Sequence, residues 1–452
     1  MLGQILTYAF IVTDLNLNIQ TELCGHIRLN KTQLPEIDAI LTNKIDVLNL
    51  QQHGDLEYIA AEKIHKFLSK IINENGRCEL VGFNSNSFDL AFLRNLLIKY
   101  GLNPYFMGKL GNKDILHYTQ SIAFNFPDNY PWTLQTKDNR SYYSFKLEDT
   151  CKSFNIINQD QSHDAKEDVL ITISLVKTLQ SEFNTLLTNF NAICLPENLT
   201  PMSISKQKTR HFPNKNETAQ KFTNTYWLTI NKIKNAYLLF NLSKFKENNT
   251  NTISFIDNIR YINPNKHFLH LQNSSLTEQK DWTEIIKDIS ENNLFKELSK
   301  NPEHYFDLIK KDWDIEYQIT ELGFAHIDTL KTISTKLIKD PQNYLNQLSE
   351  LIKSRKTTKD NYLIQLFNRN YLNTHPNPKI EHLHKYLIPR YITGELYRDW
   401  DNFTSLPQNY ERLEYLTKKN EDTTEKDSLI MLSLKKYYDH FIKENELSDY
   451  CK

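Results

Sequence analysis

The chain has 452 residues, with 54 Lys and Arg balanced by 55 Asp and Glu, and 39% of it is hydrophobic. At roughly 150 residues per domain that length suggests about three domains, and the composition excludes a wholly disordered or fibrous protein. With a net charge of -1 there is no global basic field, so any nucleic-acid site has to be a local groove.

The cysteines at Cys24, Cys78, Cys151, Cys194 and Cys451 form no C-x-x-C pair. That excludes a disulfide scaffold and a zinc ribbon, and it suits a reducing cytoplasm. No apolar run approaches the roughly 18 residues of a membrane span. The opening MLGQILTYAFIVTD has no basic region before its apolar stretch, as a signal peptide would.

In chain order, Gln4–Thr13 reads as a strand, DLNLN as a turn and Thr21–Leu29 as the returning strand of a hairpin. Tyr58–Ile72 carries apolar residues at amphipathic-helix spacing. Cys78–Phe83 is a short strand of the buried type. Ser87–Tyr100 is a helix closed by Gly101, and Asp114–Phe124 fits either a strand or a helix. Phe145–Phe154 and Asp164–Leu179 read as helices. Hairpin strands followed by alternating helices and strands indicate an α/β fold with a mixed sheet. After Phe190 the texture changes. Leu195–Gln220 is polar, basic and without periodicity, and Thr225–Ile230, Ala236–Leu242 and Phe268–Gln272 then read as strands of a small β-rich unit. From Trp282 most of the chain reads as helices, interrupted by a basic break at Lys353–Asp360.

Two local patterns could carry chemistry. In SHDAKEDV, Asp164 followed by Glu167 has the spacing of a capping box. A helix starting there leaves His163 in the entry loop and Asp168 in the first turn, so both can face one site. The alternative is a surface His beside a carboxylate that offsets the helix dipole. In VGFNSNSFDLAFLRN a buried strand delivers a polar turn, and Asp89 opens the next helix. A strand end handing a carboxylate to a helix start is a natural place for a metal ligand. The alternative there is an ordinary acidic first turn.

Taken together and in this order, N-x-x-x-F-D, SFKLEDTCKSFNI and S-H-D-A-x-x-D-V resemble the DEDD superfamily of 3'–5' exonucleases, in the variant with His before the last Asp. Within it the chain is most similar to the bacterial exodeoxyribonuclease I family. QILTYAFIVTDLNLNI, NTYWLTINKIKNAYLLFNLSKF and PKIEHLHKYLIPRYI extend the likeness over almost the whole chain, densely in the first third and thinly afterwards. The resemblance implies a ribonuclease-H-like exonuclease domain over residues 1–188, an SH3-like β-rich domain with helical insertions over 195–350 and an all-helical domain over 356–452. It implies cleavage of single-stranded DNA by two Mg²⁺ ions (Mn²⁺ being possible), in repair and recombination, by a monomer that also binds single-stranded-DNA-binding protein. It assigns Asp89 and Asp168 as two of four metal-binding carboxylates and His163 as general base. Arg94 and Tyr105 fall on DNA-contacting positions, and Lys146 replaces an Arg, losing the bidentate fork. Independently, the basic run containing Lys208 and Arg210, with Phe212 beside it, fits a surface that tracks a DNA backbone, or a solvated interdomain loop.

The other two carboxylates of that family form an Asp-x-Glu on the strand before the one matching Gln4–Thr13. Asp14 and Glu22 lie in the wrong register to replace them. The expectation is that the natural product extends upstream by about ten to twenty residues, and that the 452-residue form is impaired. Three functions compete: a 3'–5' exodeoxyribonuclease, a catalytically inactive single-strand-binding or adaptor protein, and an RNA-trimming relative. The last is disfavoured because the likeness continues past the nuclease region.

Overall fold

The computed structural model describes residues 3–157, 164–196, 199–234, 236–247, 255–262, 269–309, 326–340, 344, 346, 358–395, 404–418 and 425–451. The chain opens with the expected hairpin, β1 (Thr7–Thr13) antiparallel to β2 (Ile19–His26), with Tyr8 opposite Gly25 and Ile11 opposite Glu22. Asp14 closes it. Its carboxylate accepts the Asn16 and Asn18 amides at 2.9 and 2.8 Å, the Asx turn that makes Asp a turn former.

Two short helices follow, α1 (Ile37–Thr42) and α2 (Val47–His53), and then α3 (Glu57–Asn75), whose Ala60, Ala61, Ile64, Leu68, Ile71 and Ile72 are buried. That stripe has the spacing of one helix face. β3 (Cys78–Gly82) leads through α4 (Asp89–Lys99) to β4 (Leu110–Asp114), and the two strands pair in parallel from Cys78–Leu110 to Gly82–Asp114. The ambiguous stretch after Asp114 is a helix, α5 (Ile115–Asn125). A second hairpin, β5 (Thr133–Lys137) and β6 (Arg140–Ser144), precedes α6 (Leu147–Ser153) and α7 (Ala165–Phe183). Among the described residues β1 pairs with β2 and β3 with β4 in separate ladders. One core holds both: Tyr8 and Ile27 pack with Ile64 and Leu68 of α3 and Leu93, Leu96 and Leu97 of α4, with Leu80 and Leu110 at its margin. A second core joins α5, α6 and α7 through Tyr118, Ile122, Cys151, Leu175 and Leu179.

The β-rich unit comprises β7 (Ile193–Cys194), β8 (Ile204–Arg210), β9 (Phe222–Ile233), β10 (Ala236–Asn241), β11 (Ile259–Ile262), β12 (Leu269–His270) and β13 (Gln272–Asn273). Five of these form one sheet in the order β11-β10-β9-β8-β13. The basic stretch read as lacking periodicity therefore contains a strand, β8, at its centre. Its buried positions include Ser205 and Gln207, so the inward-facing set is polar and leaves no period-2 hydrophobic signal. The helices that pack on this sheet include Thr283–Glu291 and Asn293–Lys300, through Ile289, Phe295 and Leu298.

Toward the C-terminus, Ile327–Lys339 packs with α4 and with Thr358–Thr374 around Ile98, Leu330, Ile333 and Phe367. Most of the basic break at 353–360 lies outside the described residues. Helices Ile380–Tyr391, Leu406–Lys418 and Glu425–Glu444 form a core that also takes in Ile37, Ile40, Val47 and Leu50 of α1 and α2. The join is hydrogen-bonded as well. Tyr438 donates to the Pro35 carbonyl at 2.8 Å, Asn373 Oδ1 accepts the Thr32 amide at 3.0 Å, and Arg412 reaches Asp38 at 2.6 Å. Among the described residues no helix is long and apolar enough to cross a membrane.

Candidate active site

The turn after β3 is held from a distance. Asp114, at the end of β4 and 1% exposed, accepts the amides of Asn84 (2.8 Å), Asn86 (3.0 Å) and Leu116 (3.0 Å). One carboxylate thus caps α5 and pins the 84–87 turn, in which Asn84 takes a left-handed φ of 58°, a conformation Asn tolerates better than most residues. Asn112 adds a 2.7 Å bond to the Asn86 side chain. The pinned turn delivers Asp89 as the first residue of α4. The sequence reading passed over Asp114 as a site residue. Its signal was there, an Asp directly before the apolar run of α5, which is the signature of an N-cap.

The start of α7 forms as its capping residue predicts. Asp164 accepts the amides of Lys166 and Glu167 at 2.9 and 3.2 Å, which places Asp168 in the first turn. Lys166 reaches across to Glu22 on β2 at 2.7 Å, so Glu22 is engaged in an ion pair. His163 lies outside the described residues.

Asp89 and Asp168 open α4 and α7, and the charge of Asp168 is felt at Asp89. Asp89 is exposed to solvent yet has protein crowded around it. Desolvation first, then the negative charges of Asp114 and Asp168, hold its pKa above the ordinary carboxylate value. A carboxyl raised by burial and by neighbouring carboxylates is a common mark of cation-binding and catalytic sites. Two such oxygen donors have the chemistry a hard divalent cation takes. Among the described residues, however, no group of three or more His, Cys, Asp or Glu is arranged to hold a metal ion. The described donors therefore do not by themselves fit a two-ion centre.

The cationic residues fall into two kinds. Arg94, on α4 five residues beyond Asp89, lies over the Tyr105 ring at 5.3 Å. Lys146 is the N-cap residue of α6, and its exposed ammonium has no carboxylate partner among the described residues. Arg210 lies at the end of β8 with its guanidinium over the Tyr142 ring (5.3 Å) and over the Phe212 ring (4.8 Å). Lys208 is different. Its ammonium donates to the Phe124 carbonyl at 3.0 Å and lies over Phe222 at 4.7 Å. Lys221 likewise donates to the Pro127 carbonyl at 2.9 Å. These two lysines staple the β-rich sheet to the end of α5, a use the basic composition of the stretch did not reveal.

No family model matches the sequence, and no curated protein does. Solved structures do. Escherichia coli exonuclease I in complex with a dA16 oligonucleotide superposes with a TM-score of 0.64 at 17% identity, over 97% of this chain and 96% of that one. The exonuclease I of Methylocaldum szegediense gives 0.63 at 17% identity, over 97% and 96%. An apo exonuclease I gives 0.63 at 18%, over 98% and 96%.

The chain has the exonuclease I fold. The likeness runs through the α/β unit, the β-rich unit and the C-terminal helices alike, so the exonuclease I fold accounts for the whole architecture. In the E. coli protein that fold is seen with single-stranded oligonucleotides and, in one form, with a zinc ion.

Proposed function

We propose that this protein acts on single-stranded DNA as a 3'–5' exodeoxyribonuclease of the exonuclease I type, in DNA repair or recombination. The observation that carries this reading is the placement of Asp89 and Asp168 in the first turns of α4 and α7, on a fold shared with exonuclease I over nearly its full length. In this reading Asp89 and Asp168 would be two of the ligands of a divalent cation, Mg²⁺ by preference, whose chemistry there would be charge stabilisation at the scissile phosphate. His163 receives the proton of the attacking water. Arg94 and Lys146 contact backbone phosphates, and Tyr105 fixes the plane of the Arg94 guanidinium.

A second reading keeps the DNA surface without the hydrolysis. It is favoured by one observation: among the described residues no three ligating side chains group around a point that could hold a metal. A digestion assay separates the two. The chain is incubated with 3'-labelled single-stranded DNA and Mg²⁺, beside Asp168→Ala. Release of mononucleotides that Asp168→Ala abolishes supports the nuclease. Retained DNA binding without metal-dependent release supports the binding protein.

A further inference from the structure

We propose that Tyr142, Arg210 and Phe212 form a clamp for single-stranded DNA, in which a nucleobase stacks on the open face of Phe212 and a backbone phosphate takes the free donors of Arg210. The inference rests on the reading that the chain binds single-stranded DNA, and it adds a binding element outside the Asp89–Asp168 pair.

Three observations converge on these residues. The first is the stack itself. Tyr142 comes from the β5–β6 hairpin and Arg210 from β8, so the two covered layers belong to different units of the fold. The outer layer, Phe212, is 74% exposed. A ring held against a guanidinium on one face and open to solvent on the other is a platform with one side vacant. Base–aromatic stacking needs only that and tolerates any base.

The second observation is hydrogen-bond accounting. Arg210 Nε is buried and has no hydrogen-bond partner. Asp149, the acidic group that faces the guanidinium, is already taken up by Gln135 at 3.0 Å and by the Ser144 hydroxyl. Buried polar atoms are almost always satisfied, and an exception calls for an explanation such as an absent ligand. A phosphate oxygen is the acceptor that matches a guanidinium with donors to spare.

The third is contrast with its neighbours. Lys208, two residues earlier on β8, and Lys221, just before β9, spend their ammonium groups on the carbonyls of Phe124 and Pro127. Arg210 makes no such staple. Beyond Tyr142 the chain continues four residues to the exposed Lys146, a separation of at most about 13 Å in extended backbone. The clamp and the Lys146 ammonium are therefore close enough for one strand to reach both.

The test measures binding by the full chain to a 5'-fluorescein-labelled oligothymidylate, by fluorescence anisotropy in EDTA so that no strand is degraded. Phe212→Ala is expected to raise Kd roughly ten- to hundredfold, and Phe212→Tyr is expected to restore most of the affinity. Arg210→Ala is expected to weaken binding and to lower the slope of log K against log salt by about one, a change Phe212→Ala does not produce. Because Phe212 is largely exposed, its substitution leaves the melting temperature in place. If the stack were only a structural brace between units, Phe212→Ala would lower the melting temperature and leave Kd unchanged, and that result overturns the clamp. Absence of binding by the unaltered chain would overturn the single-strand reading itself, a different failure from binding that ignores Phe212.

Discussion

The Lys99 ammonium lies 2.7 Å from the Glu57 carboxylate, with both side chains only 6% exposed. The same carboxylate oxygen accepts the Tyr100 hydroxyl at 2.7 Å and the Asn30 amide at 2.9 Å, so a single buried charge ties the end of α4 to the start of α3 and to the loop after β2. The Lys99 carbonyl in turn accepts from Asn370 of helix Thr358–Thr374. Removing one partner strands the other charge in the core. Lys99→Met is expected to cost about 3–5 kcal/mol, read as a fall in the urea midpoint.

The same site sets an acid limit. Burial pushes the Glu57 carboxyl up, but the Lys99 charge and the three hydrogen bonds outweigh burial and hold its pKa below the ordinary value. A carboxylate held low in the fold stabilises it above the ordinary carboxylate pKa, and that contribution is lost as pH falls through the lower, folded value. A urea titration across the acid range is expected to show the unaltered chain losing this increment on acidification, while Lys99→Met has little of it left to lose.

Asp89 has the opposite sign. Its pKa is raised by desolvation and by Asp114 and Asp168, so the folded state prefers it protonated. Its contribution is most favourable below the ordinary carboxylate pKa and is lost as pH rises through the folded value. At neutral pH, without divalent metal, Asp89→Asn is expected to raise the melting temperature. Added Mg²⁺ is expected to raise the melting temperature of the unaltered chain more than that of the variant. Calorimetry with and without Mg²⁺ checks both.

Gly101 ends α4 at φ +73°, and a Cβ there would lie 2.0 Å from the Lys331 amide nitrogen and 2.6 Å from the Leu330 carbonyl carbon. Both neighbours are backbone atoms and cannot rotate aside. Gly101→Ala therefore combines the left-handed penalty of roughly 1–2 kcal/mol with displacement of helix Ile327–Lys339. An overall loss of more than about 2 kcal/mol is expected from chemical denaturation, with amide exchange rising first in that helix.

Asp114→Ala would leave three backbone amides without their acceptor. A loss of about 2–4 kcal/mol is expected, accompanied by proteolytic cutting within residues 84–88. Asp114→Asn keeps one acceptor oxygen and is expected to fall between. Thermal unfolding and limited proteolysis distinguish the three forms.

What could be read from the residues followed the strength of local signals. The 3.6-residue stripe of α3 is a long periodic pattern, the Asp164 cap of α7 and the turn opened by Asp14 between β1 and β2 add a named cap or turn residue, and each formed as expected. The β5–β6 hairpin escaped notice. Its turn has positive φ at Asp138 and Asn139, a type I′ geometry without the usual glycine. β8 was hidden by polar inward-facing residues. At the site, Asp89 and Asp168 could be found because each opens a helix. Asp114 was legible as the N-cap of α5 but not as part of the site, because there it holds a turn 28 to 30 residues earlier.

The packing of α1 and α2 against the last helices has a consequence for the timing of synthesis. Pro35 and Tyr438 are 403 residues apart in sequence. At roughly 5–20 residues per second of translation, the apolar faces of Ile37, Ile40, Val47 and Leu50 emerge about 20–80 seconds before the helices that cover them exist. During that interval the nascent chain carries an uncovered greasy patch near its beginning. The protein would therefore depend on chaperone shelter on the ribosome, and a slow codon late in the message would lengthen the time over which it can aggregate.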